Sequence, residues 1–155
     1  MNKLSILLQQ LHIEMNQAFS HADITRVVVH NDSRYTFYIS SPELMPLSNV
    51  KALKEAQHLF PYPCEFLFET SLNHFKKEDV IEYSEYIMHS LLGNVPEMQG
   101  MTKEDLDLKG DVLTLHTVNH IQCDSIKTQL PEMRSLLSGF GIDIDLRAEV
   151  DKDNH

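Results

Sequence analysis

The apolar residues at the start of the chain recur first at helical spacing and then in a hairpin pattern. The helical positions are Leu4, Leu7, Leu8, Leu11, Met15 and Ala18. This spacing predicts one helix. Residues 24–30 and 35–40 are rich in β-branched and aromatic residues and predict two strands. The polar segment 31–34 between them suits a tight turn, so the two strands are expected to form a hairpin.

A helix and a third strand complete the first copy of this pattern. Residues 50–60 have the spacing of a helix, and Pro61 and Pro63 then interrupt the backbone. Residues 64–70 predict a strand. We therefore expect an α-β-β-α-β subdomain over residues 1–72.

The second copy begins with a helix and a hairpin. Residues 75–92 carry a helical apolar stripe, formed by Val80, Ile81, Ser84, Ile87, Met88, Leu91 and Leu92. Gly93 and Pro96 are typical of the end of such a helix. Two strands are then predicted at 106–108 and 112–118, because the turn residues Lys-Gly-Asp lie between them.

A split helix and an amphipathic strand end the second copy. Residues 121–137 have helical spacing, but Pro131 cannot donate a backbone hydrogen bond and predicts a division into two helices. Residues 142–150 alternate strictly between apolar and charged side chains. This alternation predicts a strand with one face in the core and the other in solvent.

The predicted fold class is α+β, with two small subdomains that each pack helices on a short mixed or antiparallel sheet. The second subdomain spans 73–151, and the polar residues 152–155 are expected to begin a linker. Its element order resembles the type II KH arrangement. KH domains grip a nucleic-acid backbone through a GxxG loop, but none of the 5 glycines here forms GxxG and the corresponding turn at 128–131 is uncharged. The resemblance therefore concerns the fold and not the KH function.

The charge of the chain argues against strong binding to nucleic acid. The formal net charge is −10, and an acidic excess is present in both halves. Proteins gain affinity for nucleic acid mainly by neutralising phosphates with Lys and Arg. We therefore expect DNA binding to be weak at most. An acidic surface suits either simple solubility or a basic protein partner.

Neither a membrane segment nor a disulfide is expected. The chain has no apolar run of about 18 residues and no secretion signal at its start. The 2 cysteines, Cys64 and Cys123, lie on separate predicted elements without CxxC spacing. These features predict a cytoplasmic protein with two reduced thiols and no contact with a membrane.

The sequence contains no convincing metal or catalytic cluster. His116, His120 and Cys123 are closest to a ligand set, but a strand at His116 places it about 13 Å from His120, and no fourth ligand is evident. The carboxylate pairs are Asp105 with Asp107 and Asp143 with Asp145. Strand alternation explains them, and no nucleophile or phosphate-binding loop accompanies them. The residues predict no cofactor, no metal and no enzyme activity.

Several segments, in their order and spacing, resemble the N-terminal region of PolC-type DNA polymerase III, the replicative alpha subunit of low-GC Gram-positive bacteria. They are residues 7–10, 24–30, 33–39, 106–110 and 139–146. The resemblance covers nearly the whole chain. It implies a parent DNA-directed DNA polymerase with 3′-5′ exonuclease activity that requires Mg²⁺. None of the catalytic residues of that parent is assigned to these 155 positions.

The resemblance implies a non-catalytic module for DNA replication that docks a protein partner. The expected partners are the tau subunit of the clamp loader and the other domains of the parent polymerase. The candidate contact surface is either a sheet edge or the helix face that carries Glu78, Glu82 and Glu85. Charge reversal on such a face is expected to lower binding without unfolding the chain.

Two other function classes remain open at this point. One is a weak single-stranded DNA guide for the same polymerase, with Arg26 and Arg34 as phosphate contacts and Tyr35 and Tyr38 as stacking residues. Aromatic residues in such strands are more often part of a core. The other is a small free-standing enzyme, which no set of residues supports.

Overall fold

The computed structural model describes residues 2–71 and 75–151. The chain divides into two compact units, one formed by Met1–His74 with Gly139–Gly141 and the other by Phe75–Ser138 with Ile142–His155. Each unit contains helices and one three-stranded sheet, which confirms the predicted α+β class with two small subdomains. The predicted boundary at 72–73 and the predicted linker at 152–155 lie outside the described residues.

The first unit is built around a mixed sheet in the order β1-β2-β3. Its elements are helices α1 (Lys3–Gln10), α2 (Gln17–Ser20) and α3 (Leu47–Ala56), a 3-10 turn at Gln57–Leu59, and strands β1 (Asp23–Val29), β2 (Tyr35–Ser41) and β3 (Cys64–Thr70). Strand β1 pairs with β2 antiparallel, and β2 pairs with β3 parallel. The middle strand is therefore hydrogen-bonded on both sides.

The prediction of one continuous helix through Ala18 is wrong. Helix α1 ends at Gln10, and His12 adopts a positive φ of 57°. The Asn16 side chain then accepts a hydrogen bond from the Phe19 amide at 3.0 Å and starts the separate helix α2. Met15, which was expected on the apolar face, is 45% exposed. A left-handed residue and a new N-cap thus override the apolar spacing.

The hairpin between β1 and β2 is confirmed. The Ser33 amide donates to the His30 carbonyl at 2.9 Å, and the His30 amide donates to the Arg34 carbonyl at 2.8 Å. Ser33 takes a positive φ of 66°, which is the conformation that closes a hairpin loop of this length. These bonds fix the register in which Val29 faces Tyr35 and Val27 faces Phe37.

Helices, strands and connecting segments all supply apolar side chains to the core of the first unit. The most deeply buried residues are Leu4, Leu8, Leu11, Phe19, Ile39, Met45, Val50 and Leu53. The Phe140 ring lies 6.3 Å from the ring of Phe68 on β3. Tyr35, Phe60 and Tyr62 form a further aromatic cluster, which is described below.

The second unit repeats this sheet plan, in the order β4-β5-β6. Its elements are helices α4 (Lys77–Tyr86), α5 (Pro96–Gln99), α6 (His120–Lys127) and α7 (Leu130–Gly139), a π turn at Ile87–Leu91, a 3-10 turn at Lys103–Asp105, and strands β4 (Leu106–Lys109), β5 (Val112–Thr117) and β6 (Asp145–Val150). Strand β5 pairs antiparallel with β4 and parallel with β6. The predicted elements occur in the predicted order, and the structure adds α5 and the turn at Lys103–Asp105, which were not predicted.

The predicted split of the last helical segment is confirmed, but the break precedes Pro131. Helix α6 ends at Lys127 and α7 begins at Leu130. Pro131 occupies the first turn of α7, where a missing amide hydrogen leaves no helical bond unmade. Strand β6 begins at Asp145, later than predicted. Ile142 and Ile144 are nevertheless buried, so the predicted alternation extends beyond the paired residues.

The two sheets end in equivalent hydrogen bonds. In the first unit the Ser71 amide donates to the Ser41 carbonyl at 3.3 Å, and in the second the Asp151 amide donates to the Thr117 carbonyl at 2.8 Å. In both units the donor follows the closing strand and the acceptor ends the middle strand. The sequence pattern that occurs twice thus corresponds to one sheet topology built twice. Among the described residues, no helix has the length and apolar character needed to cross a bilayer.

The backbone after helix α4 leaves no room for a side chain at position 93. The helix continues into the π turn, and the Leu92 amide donates to the Ile87 carbonyl at 2.8 Å. A Cβ atom at Gly93 would overlap the carbonyl oxygen of His89. Gly100, by contrast, has no heavy atom near the position of a Cβ and has a negative φ.

We expect Gly93→Ala to lower the free energy of unfolding by about 1–3 kcal/mol, because the methyl group has to displace backbone. Gly100→Ala is the matched control and is expected to change stability by less than about 1 kcal/mol. Urea denaturation followed by circular dichroism measures both. Equal effects of the two substitutions would contradict the proposed backbone overlap.

Candidate partner-binding surfaces

Strand β1 presents apolar side chains to solvent at the edge of the first sheet. Val27 is 40% exposed and Val29 is 58% exposed, and both lie on the sheet face that also carries Tyr35 and Phe37. Two exposed valines on the same face of an edge strand are unusual, because natural edge strands are commonly protected by charge or proline. This edge is therefore a candidate contact surface.

An aromatic cluster continues the apolar surface away from these valines. The Tyr35 ring stacks on the Tyr62 ring with centroids 5.3 Å apart and an interplanar angle of 12°. Phe60 meets Tyr35 edge-on at 5.1 Å. Tyr62 remains 47% exposed. We call the surface formed by Val27, Val29, Tyr35, Phe60 and Tyr62 the edge patch.

The backbone of β1 adds hydrogen-bonding capacity to the edge patch. In an antiparallel pair, every second residue points its N–H and C=O away from the partner strand. Within the described residues, β1 has β2 as its single neighbouring strand. His30 and Arg34 form a hydrogen-bonded pair, and hydrogen-bonded pairs alternate with non-bonded pairs along the two strands. The N–H and C=O groups of Val27 and Val29 therefore point away from β2. An extended segment of another chain can pair there.

The four residues predicted for nucleic-acid contact do not share one surface. The Arg26 guanidinium lies 3.9 Å from the centroid of the Tyr38 ring, so one face of that ring is already covered. Arg34 pairs with Asp32 at 3.8 Å, and both side chains are exposed. Tyr35 and Tyr38 are three residues apart on one strand and therefore point to opposite faces of the sheet. The structure brings together Arg26 with Tyr38 and leaves Tyr35 in the edge patch.

The predicted acidic face of α4 is only partly open to solvent. Glu78 and Glu82 are exposed, whereas Glu85 is half-buried. The Glu85 Oε2 atom accepts a hydrogen bond from the Lys103 amide at 2.7 Å. Glu85 thus fastens the turn Lys103–Asp105 to α4. Sequence reasoning missed this role because the two residues are far apart along the chain.

The turn beside α4 enlarges the acidic surface. Thr102 and Asp105 form a capping box, in which the Asp105 carboxylate accepts from the Thr102 amide at 3.0 Å. The Thr102 hydroxyl donates to Glu104 at 2.6 Å. That bond is the main reason that the pKa of the Glu104 carboxyl lies below its ordinary value. Glu104 and Asp105 thus add two carboxylates on the turn that Glu85 holds against α4.

Tyr83 anchors α4 through the buried side of the helix. Its side chain is almost completely buried, although the predicted apolar stripe did not include it. Burial is the largest cause that raises the pKa of the Tyr83 phenol, and the carboxylates of Glu82 and Asp79 raise it further, as does Tyr86. The neutral phenol is therefore the form compatible with the folded chain.

The catalytic and metal-ligand candidates remain separated. The structure, over the residues it describes, contains no group of three His, Cys, Asp or Glu side chains placed to hold a metal ion. Cys64 is half-buried and Cys123 is buried, and both are free thiols. Asp107 pairs with Lys77 at 3.5 Å and with Lys109 at 3.8 Å. The Asp107 carboxylate thus takes part in two surface ion pairs.

We expect alkaline pH to destabilise the chain through Tyr83. The phenol of an unfolded chain has a pKa of about 10, and the folded-state value is higher, so the stabilising contribution is complete below pH about 10 and is lost as pH rises through the folded-state value. The free energy of unfolding should then fall more steeply above pH about 10 for the native chain than for Tyr83→Phe, by up to about 1.4 kcal/mol per pH unit. Urea titrations at several pH values measure the difference, and parallel pH profiles would refute it.

The comparisons with known proteins concern the first unit. A search of curated proteins and a search of solved structures gave no match. The family model described as DNA polymerase III polC-type N-terminus I matches residues 3–59, a span that includes β1, β2 and most of the first unit. This match confirms the resemblance to the N-terminal region of PolC-type DNA polymerase III over residues 3–59, and the similar segments at 106–110 and 139–146 lie outside the matched span.

Proposed function

We propose that this chain is a non-catalytic N-terminal module of a PolC-type DNA polymerase III and serves DNA replication by docking a protein partner. The family match supports a PolC-type polymerase module. The acidic net charge of −10 agrees with a protein partner better than with direct binding to duplex DNA. The non-catalytic role and the docking role are our proposals.

The edge patch is the observation on which the docking role rests. Exposed apolar surface costs free energy in water, and contiguous patches of it commonly mark contact sites. Here Val29 and Tyr62 are partly exposed above a packed aromatic layer. Large aromatic side chains held rigidly in this way lose little conformational entropy when a partner covers them.

We propose the clamp-loader tau subunit as the partner, in accordance with the resemblance. The edge patch suits a segment that adds a strand to β1 and places apolar side chains on Tyr62 and Val29. Asp23, the first residue of β1, carries an exposed carboxylate, so a positively charged residue that flanks this segment at that end is favoured. The acidic face of α4 is the second surface to test.

Calorimetric titration of the full chain with the C-terminal part of tau tests this proposal. We expect saturable binding of the native chain and at least tenfold weaker binding of Val29→Lys, because the substitution places a charge where apolar surface is to be buried. Ile121→Lys is the matched control, since Ile121 is an apolar side chain that is 82% exposed in the second unit. Absence of tau binding, or equal losses in both variants, would overturn the proposal.

A charge reversal tests the acidic face of α4 separately. We expect Glu78→Lys/Glu82→Lys to lower the association rate a few-fold at low salt and to have a smaller effect at high salt, because exposed charges steer encounter and are screened by ions. Glu85 is left unchanged because it holds the Lys103 amide. Stopped-flow kinetics measure the rates.

The control for this experiment is Glu14→Lys/Asp124→Lys, which changes the net charge equally at two exposed positions that do not belong to α4. If the control lowers the association rate as much as the α4 variant, net charge alone explains the effect. In that case the α4 face is not a contact surface.

A further inference from the structure

A second candidate site lies in the second unit, between the helices α6 and α7 and the strand β6. It is a groove of about 520 Å³, lined by Lys127, Leu130, Pro131, Arg134, Asp145, Leu146 and Arg147. The lining residues belong to one unit. The apolar residues of the lining are Leu130, Pro131 and Leu146.

The groove concentrates positive charge on an acidic chain. Lys127 and Arg134 come from the helices, and Arg147 comes from β6. The single carboxylate in the lining is Asp145, which contacts Arg134 at 3.2 Å with both side chains more than half exposed. Within the described residues, Lys127 and Arg147 make no ion pair. The groove therefore has an excess of two positive charges, whereas the whole chain has a net charge of −10.

We propose that this groove binds the backbone of a single-stranded nucleic acid. Helices α6 and α7 and strand β6 all supply cations to the groove. These cations can meet successive phosphates, and the apolar residues of the lining suit sugar and base surface. A duplex keeps its bases stacked in its interior and offers no free base face to the apolar residues of this lining. This function goes beyond protein docking, and it involves other residues than the edge patch.

The charged residues of the groove determine how binding depends on salt and on Asp145. Single-strand binding that neutralises Z phosphates has a slope of log K against log salt of about −0.7Z, so three cations predict a slope of about −2. Asp145 repels phosphate and competes for Arg134. Removal of the Asp145 charge is therefore expected to strengthen binding. A variant that merely loses structure would bind more weakly instead.

The test uses the full chain and a fluorescent oligothymidylate of about 12 nucleotides, within the range of single-strand site sizes. Anisotropy at low salt should show about tenfold weaker binding for Lys127→Glu and for Arg147→Glu, with a shallower salt slope in each. Asp145→Asn should bind at least threefold more tightly than the native chain. Circular dichroism melting verifies that each variant folds.

Lys109→Glu is the matched control, because Lys109 is 87% exposed and lies on β4, at the opposite edge of the same sheet. It changes the net charge equally and should alter the affinity less than twofold. An equal loss in this control, weaker binding of Asp145→Asn, or equal affinity for a duplex would overturn the proposal. Capture of a poly-glutamate peptide instead of the oligonucleotide would also overturn it, and would assign the groove to an acidic protein segment.

Failure of this proposal is distinguishable from failure of the docking role. Val29→Lys lies in the first unit and is expected to leave the affinity for the oligonucleotide unchanged within twofold. If the native chain binds no oligonucleotide even at low salt, the groove proposal fails. The titration with tau is independent of that result.

Discussion

Both units depend on one constraint, which is that the middle strand of each sheet is bonded antiparallel on one side and parallel on the other. A parallel partner cannot follow through a tight turn and requires a crossover connection. Helix α3 provides that crossover in the first unit, and α6 with α7 provides it in the second. The same constraint leaves β1 at an edge of its sheet, where Val27 and Val29 reach solvent.

Local signals in the sequence predict most of this architecture. The turn residues between β1 and β2 predict the hairpin, and Pro131 predicts the division into α6 and α7, because each acts through its own backbone. The prediction fails at the end of helix α1. Helix α1 stops early because His12 takes a left-handed conformation, which apolar spacing does not reveal.

The candidate surfaces were less predictable than the fold, because they form from residues that are distant in sequence. Exposure of Glu78 and Glu82 follows from helical spacing, but the engagement of Glu85 depends on the turn at Lys103. The edge patch requires the order of strands in the sheet and the return of Tyr62 to Tyr35. Lys127 and Arg147 meet in the groove only because β6 pairs parallel to β5 and packs near α6.

The measurement that most directly tests the central claim is chemical-shift mapping of the isotope-labelled chain during titration with the C-terminal part of tau. Our account predicts that the largest shifts occur at the amides of Val27 and Val29 and at the Tyr62 ring, because β1 gains a partner strand there. Shifts confined to the second unit, or no shift at saturating concentrations of tau, would contradict it.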